Sequence, residues 1–295
     1  MSCGEARAFE TKYFAGDVSG ERVAAAMRRV AEGVARECRA LMAEADTGRD
    51  RLAVVLAGKG RNGGDALLAA TLLLPDCTGC VVLLAVAESG LVPETRAALE
   101  GLRRAGGERV ETILWDAGCE TFSAARALVI DGLTGSGFRA PLPPEMRSLI
   151  LAANALPDAL RVAVDLPSGA GDKSDATLFE AHLTVAAGIL KTPLFEDAVA
   201  ARRPSRISLV RRQCAPRSAA TISAARPCHA TARQTVSKMS PFSRESSETS
   251  MPASRSPLPP RARTGPPWGM NARRVPSDTN VPAPFITTIV PVFFA

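Results

Sequence analysis

Three short segments of the 295-residue chain hold most of the side chains that could do chemistry. In the first, the apolar run Val54-Val55-Leu56-Ala57 ends in Gly58-Lys59-Gly60-Arg61-Asn62-Gly63-Gly64-Asp65, followed by Ala66-Leu67-Leu68-Ala69-Ala70-Thr71-Leu72. This reads as a strand, a tight glycine turn and a helix start. A helix N-terminus offers unpaired N–H groups and a partial positive charge, so such a turn can cradle a phosphate. Glycine allows the ligand close to the backbone. Gly58-x-Gly60-x-x-Gly63 formally matches the dinucleotide fingerprint, but Glu88, thirty positions beyond Gly58, comes late for the ribose-binding acid expected after about 20. A Walker A loop is excluded because no Gly-Lys-Ser/Thr follows.

The second segment is Val129-Ile130-Asp131-Gly132-Leu133-Thr134-Gly135-Ser136-Gly137-Phe138-Arg139-Ala140-Pro141. A carboxylate at a strand end can hold a cation or a ribose hydroxyl, or simply cap its own turn. The third is Val164-Asp165-Leu166-Pro167-Ser168-Gly169. Asp165 there can act as a general acid or base, particularly if burial raises its pKa, or can form a structural Asx turn. Other features carry less. Cys77 and Cys80 have metal or redox spacing without a second pair or a nearby His, and read as free thiols in a loop. His182 has no evident partner and reads as a surface or strand-edge residue. Ser168 lacks a nucleophile elbow.

These segments need a scaffold that brings three strand ends together. Apolar runs at Leu52–Ala57, Val81–Ala87, Val110–Leu114, Ala127–Asp131, Val162–Leu166 and Leu183–Ala187 alternate with helix-like stretches at Asp65–Leu74, Pro93–Arg104, Glu120–Arg126 and Pro144–Ala155. That alternation predicts an α/β fold with a mostly parallel sheet covered on both faces. Such sheets bind ligands beyond the carboxyl ends of their strands, where all three segments fall. Before the first strand, Val23, Met27, Val30, Val34, Cys38 and Leu41 mark an amphipathic helix with Ser19 as its N-cap.

The net charge of +6 is uneven. Residues 211–295 carry 12 Lys/Arg against 3 Asp/Glu, a charge of +9 that leaves −3 for residues 1–210. The basic character therefore belongs to the tail and argues for neither nucleic acid nor membrane. The tail also holds 13 of the 22 prolines and shows no strand or helix period, so 211–295 reads as a low-complexity, disordered basic tail. A shifted reading frame after Val210 is the alternative, since arginine outnumbers lysine 31 to 5 as in GC-rich coding. Seven cysteines without a regular framework suggest a reducing compartment. No apolar h-region follows Met1, and a cytoplasmic protein is expected.

Taken in order, Gly58–Ala66, Asp131–Gly137 and Val164–Gly169 resemble the motifs of the YjeF N-terminal domain family, the NAD(P)H-hydrate epimerases. Thr184-Val185 followed by Lys191-Thr192-Pro193 resembles that family's closing strand and lysine turn, and Arg206-Ile207-Ser208-Leu209-Val210 stands where its last strand is expected. The resemblance covers roughly Glu5 to Val210. It implies a Rossmann-like three-layer αβα sandwich over residues 1–210, acting in nicotinamide cofactor repair as an isomerase of NADHX and NADPHX, hydrated at C6. Carried over by motif, Arg61, Asn62, Gly63, Gly64, Asp65, Gly135, Ser136, Gly137, Phe138, Arg139, Ala140, Pro141 and Asp165 bind the hydrate. Asp165 is the catalytic acid/base, and Asn62, Asp131 and Ser168 coordinate K+, an oxygen-only set suited to a hard cation. The expected partners are the hydrate, a separate NAD(P)HX dehydratase and a second copy in a homodimer, with no membrane and no nucleic acid. Arg61 and Ala66 depart from the family's asparagine and glycine, and the bulk of Arg61 is expected to crowd the loop. Two further readings are a non-catalytic YjeF-type binding module and a nicotinamide-dependent oxidoreductase, the latter resting on the glycine fingerprint alone.

Overall fold

Strand and helix alternate as the apolar runs require. In this computed structural model the described residues are 1–45, 50–116, 119–124, 126–196 and 206–210, with backbone alone at 221–222 and 273–274. In chain order the elements are α1 (Cys3–Phe14), α2 (Glu21–Glu44), β1 (Leu52–Ala57), α3 (Arg61–Leu73), β2 (Gly79–Leu84), α4 (Pro93–Gly106), β3 (Val110–Leu114) and β4 (Cys119–Thr121). They continue with β5 (Ala127–Gly132), α5 (Pro144–Asn154), β6 (Leu160–Val164), β7 (Leu183–Ala187), β8 (Arg206–Val210), β9 (Thr221–Ile222) and β10 (Arg273–Arg274). The main sheet has the order β3-β2-β1-β5-β6-β7-β8-β9. Its first seven strands pair in parallel throughout, and β9 adds antiparallel to β8. β4 pairs antiparallel with β10 in a separate two-stranded ladder.

The sheet is buried on both faces, which is why its strands read as continuous apolar runs. On one face α2, α3 and α4 pack Val30, Val34, Leu67, Leu73, Leu99 and Leu102 against Val55, Val82, Ile130, Val164 and Val185. On the other, Leu149, Ile150 and Ala153 of α5 cover Val54, Leu56, Val81 and Val129, while Cys3 of α1 packs with Leu166, Ala186 and Ile207 near the β8 side. Each fully buried Val, Leu or Ile contributes about 1.5–3 kcal/mol relative to exposure. Helix, sheet and helix thus make the expected three-layer sandwich.

Several boundaries differ from expectation. Glu120–Arg126 is not a helix: Cys119–Thr121 forms β4, and Phe122 and Ala124 follow in irregular chain as part of the second core. α2 is capped by Gly20 at φ 72° rather than by Ser19, whose hydroxyl nevertheless accepts the Glu21 N–H at 3.3 Å. Cys80 lies inside β2 rather than in a loop, and both Cys77 and Cys80 are buried free thiols. His182 does have a partner, since its Nδ1 accepts the Arg161 N–H at 3.0 Å. α1, absent from the sequence reading, is closed by a capping box between Ser2 and Glu5. The expected last strand Arg206–Val210 is present as β8, and the expectation for 211–295 falls outside the described residues apart from the β9 and β10 backbone.

Candidate active site at the ends of β1, β5 and β6

β1 sits at the switch point of the sheet, with β2 on one side and β5 on the other. A crevice beyond the strand ends forms at such a point because the two connections leave in opposite directions. The registers align Leu56 with Asp131 and Asp131 with Ala163, so all three motif segments emerge at one level. Helix α3 begins at Arg61, and Asn62, Gly63, Gly64 and Asp65 therefore belong to its opening turns rather than to a loop. Two glycines permit backbone-to-backbone contact here. A Cβ on Gly58 would lie 1.9 Å from the Leu133 carbonyl oxygen, and one on Gly63 would lie 2.4 Å from the Gly58 carbonyl oxygen. Thr95 of α4 donates its hydroxyl to the Gly60 carbonyl at 2.9 Å, fixing the turn from outside.

Asp131 is completely buried at the end of β5. Its Oδ1 accepts the Ser168 hydroxyl at 2.6 Å and the Leu133 N–H at 3.2 Å, and its Oδ2 accepts the Ser168 N–H at 2.8 Å. Burial pushes this carboxyl up to about 6 against the pull of those donors. Thr134 joins the cluster together. Its N–H donates to the Ser168 hydroxyl at 3.0 Å, and its carbonyl accepts the Asn62 amide at 2.7 Å. The same amide donates to the Val164 carbonyl at 3.0 Å, the residue before Asp165. Asn62 thus ties the strand ends of β5 and β6, and its Oδ1 lies 3.5 Å from where a Cβ on Gly135 would stand.

Asp165 follows β6 with a left-handed backbone, φ 69°. That conformation costs an L-residue about 1–2 kcal/mol, and Asp is among the few that visit it routinely. The carboxylate is nearly buried, and Lys191, itself fully buried after β7, places its ammonium on Oδ1. The same Oδ1 accepts the Ala187 N–H at 3.2 Å, while Lys191 Nζ also donates to the Ala187 carbonyl at 3.0 Å. Sequence reading gave Lys191 and Thr134 no role in the site. The available signal for Lys191 was an ammonium directly after the apolar stretch Leu183–Leu190, on the strand next to the one that ends at Asp165.

The remaining proposed residues divide. Gly135 and Ser136 are half-buried, Gly137, Ala140 and Pro141 are exposed, and the Ala140–Pro141 peptide is cis. The Phe138 ring points into the second core with Leu142 and Phe179 rather than to solvent. Arg139 is exposed and donates to the Phe138 carbonyl at 2.6 Å. Gly64 packs between Met27 of α2 and Thr95 of α4, and Asp65 is buried in α3. Arg61 does not crowd the loop. Its guanidinium turns outward and pairs with Glu94 of α4 at 3.0 Å, with 56% of the side chain exposed. Among the described residues no group of three or more His, Cys, Asp or Glu is placed to hold a metal ion.

A profile of the family described as YjeF-related protein N-terminus matches residues 23–193, which span every element from α2 to the lysine turn. The chain belongs to this family. Among curated YjeF relatives, the NAD(P)H-hydrate epimerase of Bordetella pertussis is 37% identical over 142 residues, covering 46% of this chain and 58% of that protein. The bifunctional NAD(P)H-hydrate repair enzyme Nnr of Mycobacterium tuberculosis is 36% identical over 173 residues, 57% of this chain and 33% of that protein. The NAD(P)H-hydrate epimerase of Clavibacter sepedonicus is 37% identical over 180 residues, 57% of this chain and 73% of that protein. The YjeF match thus spans little more than half the length of the Bordetella relative and a third of the mycobacterial one.

Proposed function

We propose that this YjeF domain interconverts the R and S forms of hydrated NADH and NADPH. The observation that carries the reading is Asp165: a nearly buried carboxylate just past the end of β6, next to β5 of the switch point, with both described donors on one of its two oxygens. Relatives named NAD(P)H-hydrate epimerase supply the substrate class and favour an isomerase over a binding module. The hydrated carbon C6 bears a hydroxyl beside the ring nitrogen. Asp165, protonated, gives its proton to that hydroxyl; the C–O bond breaks, water departs, and the ring nitrogen's lone pair stabilises the cation. Water then adds to the opposite face and loses a proton, restoring the acid. Addition to the opposite face is not the reverse of departure, so the proton released there passes to Asp165 or to a neighbouring group that returns it.

The hydrate would lie between the start of α3, Arg61 to Asp65, and the chain from Gly135 to Pro141. Arg61 would act from the rim, where its pair with Glu94 holds it, and Phe138 would support the wall from inside the core. A potassium ion fits the oxygen set of Asn62, Asp131 and Ser168. Asp131 is a fully buried carboxylate held by uncharged donors, with no cationic side chain among its described contacts. Its oxygens, the Ser168 hydroxyl and Asn62 Oδ1 retain lone pairs after their described hydrogen bonds. When bound there, the cation would neutralise Asp131 and offer positive charge to the substrate's oxygens. We place the protein in the cytoplasm as a homodimer, its product passing to a separate dehydratase. No helix among the described residues is long and apolar enough to cross a membrane.

The test is direct: purified R epimer is mixed with protein and potassium, and conversion to S is followed chromatographically. Asp165→Asn keeps an acceptor for Lys191, so it should remain folded while losing conversion. A well-folded wild-type protein that binds the hydrate without converting it would sink the epimerase reading. Full activity in the Asn variant would remove Asp165 from its role.

A further inference from the structure

We propose that Lys191 is a positioning residue for this reaction, clamping Oδ1 of Asp165 so that Oδ2 alone meets the substrate. The inference rests on the proposed function for its substrate and on geometry for the rest. Asp165 has two equivalent oxygens on a carboxyl that could rotate. Among the described contacts both donors, the Ala187 N–H and the Lys191 ammonium, converge on Oδ1. Lys191 is fully buried, and its Nζ is held a second time by the Ala187 carbonyl at 3.0 Å. The carboxyl is thus fixed from one side by a backbone N–H and an ammonium that share one residue of β7.

The lysine is itself anchored. The next residue, Thr192, donates its N–H to the Met1 carbonyl at 2.8 Å. At the start of α1 the Cys3 and Gly4 N–H groups bind Asp172 at 2.6 and 2.9 Å, on the loop that follows Asp165. Cys3 and Leu194 pack with Leu166, the residue after Asp165. The chain's first residues therefore brace both partners of the pair. A fixed carboxyl matters because the proton must be delivered along one direction to the C6 hydroxyl, and a displacement of 1 Å can cost about 100-fold in rate. An ammonium on the idle oxygen does this without touching substrate. It also balances the carboxylate charge left on Asp165 once its proton has passed to the substrate.

The experiment compares wild type with Lys191→Ala in the epimerisation assay, with and without added ethylammonium or propylammonium chloride. The expected result is a fall in kcat of about 100-fold with KM within about threefold, since an interaction acting only on the reacting group is lost. Primary ammonium ions should recover part of the loss, whereas tetramethylammonium should not. A merely structural lysine would lower the amount of folded protein and its thermal midpoint without this selective recovery. Unchanged kcat in folded Lys191→Ala, or a loss confined to KM, would overturn the inference.

A second measurement keeps the question open to decision if that variant does not fold. In a crystal structure of the wild-type protein with NAD+ as probe, Oδ2 of Asp165 should face nicotinamide C6 while Oδ1 keeps Lys191. A ligand contact from Lys191 itself, or Oδ1 facing the ring, would overturn the clamp. Absence of epimerisation by the wild type is a separate failure, that of the functional reading, and leaves the clamp to be judged on this complex.

Discussion

Ser168 shows how much one hydroxyl can do at a strand end. It donates to Asp131 and accepts the Thr134 N–H, so its removal strands a donor on one side and weakens a buried carboxylate on the other. Ser168→Ala should lose about 1.5–3 kcal/mol in urea denaturation, the range for a hydrogen bond to a charged group. A loss below about 0.5 kcal/mol, the low end for an ordinary bond, would mean that the hydroxyl does not hold the cluster. Asp175 anchors the chain just after Pro141. The Thr177 and Leu142 N–H groups, both at 2.9 Å, hold its carboxyl below the usual carboxylate range. The folded state therefore binds this proton less tightly than the unfolded one. The stabilisation is present above the unfolded value of about 3.9 and is lost as pH falls through the lower folded value. Amide exchange at Leu142 should accelerate, relative to its intrinsic rate, in that acid window, and Asp175→Asn should show the faster exchange already at neutral pH. At this scale Asp131 and Asp165 stood out as acids at strand ends, whereas Ser168 gained its expected role only through the family motif. Thr134 was not legible, because its N–H and carbonyl do most of its linking and any residue has those. The direction of Arg61 was equally hidden, since it depends on Glu94, thirty-three positions away in sequence but adjacent in space.

The turn from β1 into α3 separates glycines that are needed from one that is not. Gly58 and Gly63 meet backbone atoms that cannot retreat, whereas a Cβ on Gly60 would find nothing within 4 Å. Gly58→Ala should cost at least the about 1–3 kcal/mol of an overpacked core and abolish epimerisation. Gly60→Ala should keep both stability and activity. Thermal midpoints and initial rates of the two variants decide the point, and equal damage in both would mean that the turn is limited by conformation rather than by contact. The sequence pattern of the glycines could not distinguish these cases, because the contacts of Gly58 come from Leu133, just past the end of β5. Element types were legible where periodicity was strong, as in α2 and the central strands. They were lost where it was weak. α1 buries only Cys3 and Ala6, so its apolar stripe is thin, although the Ser2–Glu5 cap stood in the sequence. Glu120–Arg126 read as a helix because it lacks glycine and proline, but its first residues belong to β4, which pairs with β10.

For the whole molecule, the class of fold followed from alternation and burial, but the strand order could not. Nothing local says that β5 returns to the far side of β1, and that return creates the crevice. A cation held between β5 and β6 should stabilise the folded molecule by mass action, about 2.7 kcal/mol at a hundredfold excess over its dissociation constant. Potassium chloride should accordingly raise the thermal midpoint above that in choline chloride at equal ionic strength, and Asp131→Asn should remove the difference. Identical midpoints for the wild type in the two salts would argue against the ion.

The distribution of the site along the chain also bears on how the protein is made. Gly58 lies in the first strand turn and Lys191 beyond the sixth strand of the main sheet, so the centre is closed by contacts of long sequence separation. Closing long loops precedes the reward of the contacts they bring, and chains emerge from the ribosome amino end first. A growing chain therefore carries its glycine turn and Asp131 well before anything can secure Asp165. The Met1 carbonyl finds Thr192 only at that same late moment. Competence for chemistry arrives only when nearly the whole domain has left the ribosome, because it needs residues from both ends of that domain.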